Sequence, residues 1–267
     1  MRLTRKQRSS IAKDTLEIVN TGSYRINGDA VRLKTKLNAS RRCTLTYSPD
    51  MNVGRTEAPN YDTKITVLNT TTLKAASAMD NPVALNFASA RNPGGGFIGG
   101  SEAQEESLAR VSGLYHSLKN NEMYKFHRSQ KDPAYSSYAI YSPDVPVFKD
   151  EAGNLLQEPW LCSFVTAPAI NANGVRSRNS MTEAEIKKEM THRIRRVLNI
   201  SITNGHENIV LGAWGCGVFG NKAEMIADIF NALLRTEFKG TFRSIIFAVL
   251  DTSDKKKTIG AFLPLAN

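Results

Sequence analysis

The amino-acid sequence predicts an α/β protein with a mixed or parallel central sheet and helices on both faces. Two observations carry this. From about residue 62, short apolar, β-branched runs alternate with helical stretches, the pattern of strands covered by crossover helices. In addition, two glycine-rich segments each follow an apolar run and precede a helical one, as in loops at the carboxyl ends of sheet strands.

Taken in chain order, the elements are these. Residues 5–20 set Ile11, Leu16, Ile18 and Val19 in a charged background, which predicts a helix that Gly22 ends. Residues 29–60 are polar and rich in turn formers, so a loop-dominated segment with one short strand is expected. Strands are predicted at Ile65–Leu68, Val83–Phe87, Tyr138–Tyr141, Cys162–Thr166, Ile209–Gly212 and Ile245–Leu250. Helices are predicted over 71–79, 102–118, 182–203 and 222–236. Neither repeats nor a linker interrupts this series. The division is therefore an N-terminal extension, 1–60, packed on a core domain, 61–267.

Composition narrows the function classes. The 267 residues are 41% hydrophobic, enough for a real core. No stretch approaches the roughly 18 consecutive apolar residues of a membrane span. The N-terminus, Met1-Arg-Leu-Thr-Arg-Lys-Gln-Arg, is followed by no apolar run, so a secretory signal is not expected. Cys43, Cys162 and Cys216 have neither C-x-x-C spacing nor histidine partners, which argues against a disulfide framework or a zinc site. These features point to a reducing compartment: the cytoplasm, or the nucleus in a eukaryotic host. Thirty-five Lys and Arg against 25 Asp and Glu leave a formal charge of +10, which favours a polyanionic partner.

The first glycine segment carries the chemistry. The strand Val83-Ala-Leu-Asn-Phe runs through Arg91-Asn-Pro into Gly94-Gly-Gly-Phe and then Gln104-Glu-Glu. Consecutive glycines let backbone N–H groups approach a ligand without Cβ obstruction. Ser101 and Gln104 have capping-box spacing for the helix that follows. Glu105 and Glu106 lie in its first turns, off the apolar stripe Leu108, Val111, Tyr115, Leu118. A helix dipole favours acids there in any protein. Two adjacent carboxylates also repel, which raises one pKa and suits it to protonating a glycosidic oxygen.

The second segment, Gly215-Cys-Gly-Val-Phe-Gly220, reads G-x-G-x-x-G between a strand and a helix, a dinucleotide-binding spacing. The acidic residue at the end of the next strand, Asp251, lies 31 positions beyond Gly220, later than the roughly 20 that fingerprint requires. A diphosphate would bind bare glycine amides and a helix N-terminus in either case. Cys216 has no histidine nearby in sequence and needs only to be small. Trp214 is expected to pack beside the loop and His116 to be structural. Asp144 and Asp251 are explained equally by turn chemistry and by ligand contact.

Gly94-Gly-Gly, seven residues, then Gln104-Glu-Glu resembles the signature of poly(ADP-ribose) glycohydrolases. The text from Asn86-Phe-Ala-Ser-Ala-Arg to Leu114-Tyr-His, with Tyr141-Ser-Pro-Asp-Val-Pro-Val-Phe and Val165-Thr-Ala-Pro-Ala-Ile-Asn, is similar to the microbial-type branch. The resemblance implies a macrodomain-like three-layer α/β/α fold with a mixed central sheet and an N-terminal helical and loop extension. It implies hydrolysis of ribose–ribose bonds from chain ends, with Glu106 as general acid/base. Glu105 and Gln104 would hold ribose hydroxyls. Asn92, Gly94, Gly95, Gly96 and Phe97 would close on the distal ribose. Gly215, Cys216, Gly217, Val218, Phe219 and Gly220 would hold the diphosphate. No metal or other cofactor is required. The partners would be poly(ADP-ribose) and ADP-ribosylated proteins, with ADP-ribosylated nucleic acid tolerated by the charge; no membrane contact is expected, and the protein would be a monomer. Two other readings stand beside this: a non-enzymatic ADP-ribose binder, and an NAD-dependent oxidoreductase using Gly215–Gly220.

Overall fold

A computed structural model describes residues 3–54 and 59–267. Helix α1 (Arg5–Thr21) opens on a capping box in which Thr4 and Gln7 bond reciprocally, and it stops at Gly22 in the left-handed region, φ 76°. Strands β1 (Ser23–Ile26) and β2 (Asp29–Arg32) form a small antiparallel ribbon. Helix α2 (Lys34–Arg42) and strand β3 (Leu45–Tyr47) follow. Residues 29–47 are therefore far more structured than their composition suggests. α2 buries only Leu37 and Ser40, so its apolar periodicity is too sparse to read.

From there the predicted alternation holds. β4 (Lys64–Leu68), α3 (Thr72–Ala76) and β5 (Pro82–Phe87) lead to α4 (Gln104–Val111) and α5 (Leu114–Leu118). The single helix expected over 102–118 is thus two. The break at Ser112 and Gly113 has a packing cause: the Gly113 N–H bonds Pro146 O at 2.9 Å, and a Cβ on Gly113 would lie 2.5 Å from Leu37 Cδ2. After α6 (Glu122–Ser129) come β6 (Ala139–Lys149) and β7 (Leu155–Ala167). These form a long antiparallel hairpin where sequence shows only two short runs. Pro143, Pro146 and Pro159 interrupt the apolar pattern; Pro143 and Pro159 fall within the register shifts between Ser142 and Val145 and between Val147 and Lys149, while Pro146 stays in register opposite Leu161. α7 (Ala172–Ser177), α8 (Glu183–Thr203), β8 (Asn208–Leu211), α9 (Ala223–Arg235), β9 (Ser244–Ala248) and α10 (Lys257–Phe262) complete the chain.

Seven strands make one mixed sheet in the order β3-β6-β7-β5-β8-β9-β4. β7, β5, β8, β9 and β4 are mutually parallel, while β6 and β3 extend the sheet antiparallel at one edge. β5 is central and buried on both faces from Pro82 to Asn86, as a parallel strand beneath two helical layers must be. One face packs Ile194, Leu198, Phe230 and Phe262 from α8, α9 and α10. The opposite face packs Leu73, Leu108, Leu118 and Met123 from α3 to α6. Among the described residues, no helix is long and apolar enough to cross a membrane.

The N-terminal segment is part of this fabric, since β3 pairs with β6 and α1 lies against α4. Lys149, at the end of β6, is 1% exposed and sends its ammonium under α1. It donates to Thr15 Oγ1 at 2.8 Å and Ile11 O at 3.2 Å and pairs with Asp14 at 2.6 Å. Charge-assisted bonds of this kind contribute about 1–3 kcal/mol when lost from a buried site. Lys149→Ala should therefore lower unfolding free energy by that amount, and amide exchange should show α1 losing protection first.

Candidate active site

The carboxyl end of β5 is stapled to the start of α4 by one side chain. Gln104 Oε1 accepts the Phe87 N–H at 2.9 Å, and its Nε2 donates to Leu85 O at 2.7 Å and to Thr72 Oγ1 at 3.0 Å. The residue expected to hold ribose thus has its amide spent on β5 and α3. Ser101 does not cap the helix either: the N-cap is Ala103, which has no side-chain bond to give, and Gln104 is already inside the first turn.

Glu105 points inward and is 3% exposed. Its Oε2 accepts the Ser89 N–H at 2.6 Å and its Oε1 the Gly94 N–H at 3.1 Å, so one carboxyl ties both ends of the intervening loop. Burial pushes its pKa up to about 8, the charge of Glu106 adding a smaller push against the opposing pull of the hydrogen bonds. Mutual repulsion, the cause read from the sequence, is thus secondary to desolvation. Glu106 is half-buried, and its Oε1 accepts the Gly96 N–H at 3.0 Å.

Two glycines permit this. Gly94 and Gly95 hold φ of 69° and 59°, which turns the Gly94 and Gly96 amides toward the two carboxyls. A Cβ on Gly95 would lie 2.3 Å from Glu106 Oε1. Asn92 enters through its backbone, its carbonyl accepting the Gly95 N–H at 2.9 Å, while its side chain is exposed. Phe97 corrects the sequence reading. It is 1% exposed, with its ring packed among Ala12 and Ala109, so it anchors the loop from behind.

The second loop leaves β8. Because β8 is the parallel neighbour of β5, both loops emerge from the same sheet edge. Gly215 and Gly220 have φ of 74° and 68°. The loop is shaped from within: Asn221 Nδ2 donates to Gly215 O at 3.1 Å and to Ile170 O at 2.8 Å, Asn173 Nδ2 donates to Val218 O at 3.1 Å, and Arg176 Nη1 donates to Gly220 O at 2.7 Å. The backbone N–H groups of Gly217, Val218 and Phe219 donate to no described residue, which leaves three adjacent donors for an anion. Cys216 is half-buried and its thiol is pushed up to about 12 by burial, the wrong direction for a nucleophile. Trp214 is fully buried and donates to Ala167 O at 3.2 Å beneath the loop. Asp251 spends its carboxylate on the amides of Ser253, Thr258 and Ile259, which favours the turn explanation for that residue.

Tyr135 bridges the two loops, a position that sequence reasoning missed. The Arg91 guanidinium lies 5.7 Å from its ring centroid, and the Phe219 ring 5.9 Å away. Tyr135 sits at φ 56° in an irregular stretch with no periodicity to mark it.

The site is thus a carboxylate pair beneath a glycine loop, with a second loop carrying free amides on the same edge of a mixed α/β sheet. Residues 12–150 match the catalytic-domain model of microbial-type poly(ADP-ribose) glycohydrolase. The chain is 41% identical to the crystal structure of poly(ADP-ribose) glycohydrolase from Thermomonospora curvata, covering 97% of this chain and 98% of that one, with a TM-score of 0.91. The same enzyme bound to the inhibitor ADP-HPD matches with a TM-score of 0.89 at 41% identity, over 96% of this chain and 98% of that one. The glycohydrolase from Deinococcus radiodurans in complex with ADP-ribose matches at 39% identity and a TM-score of 0.82, over 88% and 98% of the two chains. No curated protein matches the chain significantly.

The chain belongs to the microbial-type poly(ADP-ribose) glycohydrolase family. It is a glycoside hydrolase acting on poly(ADP-ribose), and neither the non-enzymatic reader nor the NAD-dependent oxidoreductase is favoured.

The raised pKa of Glu105 has a consequence for stability. The folded state holds that proton more tightly than the unfolded chain, whose ordinary value is 4.5. The stabilisation is full below that value and is lost as pH rises toward about 8. Glu105→Gln should remove this component. The melting temperature of the wild type relative to the variant should fall between about pH 5 and 8 in parallel scans.

Proposed function

We propose that Glu106 is the general acid/base of the reaction and that Glu105 and Gln104 position it. The observation that carries this is the Gly96 N–H bond to Glu106 Oε1 at 3.0 Å, which orients the carboxyl while its second oxygen takes no bond from a described residue. Glu105 has both oxygens engaged and is buried, which suits a positioning role. Glu106 would protonate the departing ribose oxygen as an oxocarbenium-like centre develops, and would then take a proton from the attacking water. The free amides of Gly217–Phe219 would hold the ADP-ribose diphosphate, with Phe219 and Tyr135 walling the same cleft.

Release from chain ends, action as a monomer in the cytoplasm, and a domain division near residue 60 belong to the same reading. ADP-ribosylated proteins are its expected targets, and the +10 charge suits ADP-ribosylated nucleic acid as well.

Two substitutions test the assignment. Glu106→Gln keeps shape and removes the proton, so turnover of labelled polymer should fall about 10²–10⁴-fold while ADP-ribose affinity holds. Wild-type turnover would overturn the assignment of Glu106. Gly217→Val is a clean probe of the second loop, because a Cβ there meets nothing within 4 Å and the variant should fold. Calorimetry should show weaker ADP-ribose binding as the branched side chain obstructs the amides; unchanged affinity would remove this loop from the phosphate site.

A further inference from the structure

The basic N-terminus of α1 has no role in the chemistry described so far, yet it is fastened to the catalytic loop. Ser9 Oγ donates to Ile98 O at 2.8 Å, Arg5 Nε to Gly99 O at 3.0 Å and Arg8 Nε to Gly100 O at 2.8 Å. Three consecutive carbonyls are thus held by three side chains of one helix. Arg8 also pairs with Glu102 at 3.1 Å, two residues before α4 begins. Arg110 of α4 secures the next carbonyl, donating to Ser101 O at 3.2 Å. A Cβ on Gly100 would lie 2.2 Å from Arg5 O, so backbone meets backbone there.

The orientation of the loop gives these bonds their meaning. Its amides at Gly94 and Gly96 face the acids, donating to Glu105 and Glu106. Its carbonyls at 98–100 face α1. Phe97 lies between these two stretches and is buried against Ala12, one turn further along α1. The loop is clamped on both faces, and a carboxyl oriented by a loop amide is only as well placed as the loop itself. Displacements of about 1 Å at a reacting group can cost up to 10²-fold in rate.

We infer that Arg5, Arg8 and Ser9 form a positioning strap for the catalytic loop, setting the Gly96 N–H that orients Glu106. The inference rests on Glu106 being the acid, and the experiment separates the two. Arg8→Ala and Ser9→Ala are compared with wild type for kcat and KM on poly(ADP-ribose), ADP-ribose affinity by calorimetry, and amide exchange at Gly94 and Gly96. The strap predicts a kcat loss of roughly ten- to a hundredfold for Arg8→Ala, a smaller loss for Ser9→Ala, affinity within about twofold, and faster exchange at both glycines. It also predicts that Arg8→Ala adds little to Glu106→Gln, because both act through one carboxyl. Unchanged kcat with unchanged exchange overturns it, as does a multiplicative loss in the double variant. Should Arg8→Ala fail to fold, Ser9→Ala and Arg5→Ala carry the same readouts. Normal turnover by Glu106→Gln defeats the acid assignment alone, leaving the exchange at Gly94 and Gly96 to decide the strap.

Discussion

Burying the Glu105 carboxyl is the constraint on which the site depends. A carboxyl taken out of water must be hydrogen-bonded or neutral, and here it moves toward both: two backbone amides bond it and its pKa rises to about 8. Those amides belong to Ser89 and Gly94, so satisfying one buried group closes the loop that leaves β5. Closure brings Gly96 within bonding distance of the adjacent Glu106. The two neighbours in sequence thereby take opposite parts, one buried and tied on both oxygens, the other half-exposed with an oxygen to spare. Position relative to the glycine loop separates them, because their chemistry is the same.

The sheet supplies the second requirement. β5 and β8 are adjacent and parallel, so two loops far apart in the chain share one edge. Gln104 holds the first loop to the strand beneath it, and Asn221 with Asn173 shapes the second. Arg91, Tyr135 and Phe219 then connect them in a row of ring contacts. Glu106 and the free amides of Gly217–Phe219 are therefore presented on a common side of the sheet.

The N-terminal segment shows how composition can mislead. Basic side chains at Arg5 and Arg8 look like a solvated or polyanion-binding cluster, yet both donate to loop carbonyls. Lys149, eight residues past the strand predicted at Tyr138–Tyr141, is buried beneath α1. Each of the three has a partner more than ninety residues away in the chain, which no local pattern reveals.

The alternation of apolar runs, the Gly22 end of α1, the two glycine loops and the acidic pair were all legible in the sequence, because periodicity and glycine conformation are local properties. The family was legible too, since its motif is contiguous. Tertiary structure alone decided where each motif residue sits and what it bonds. Phe97, expected at the distal ribose, lies in the core, and Gln104 and Glu105, expected on ribose hydroxyls, bond β5 and the loop that leaves it. It also decided that the 102–118 helix breaks where Leu37 and Pro146 crowd Gly113, and that Tyr135 lies between the two loops. Burial and hydrogen-bond partnership depend on segments distant in the chain, and those are settled only when the sheet order brings the segments together.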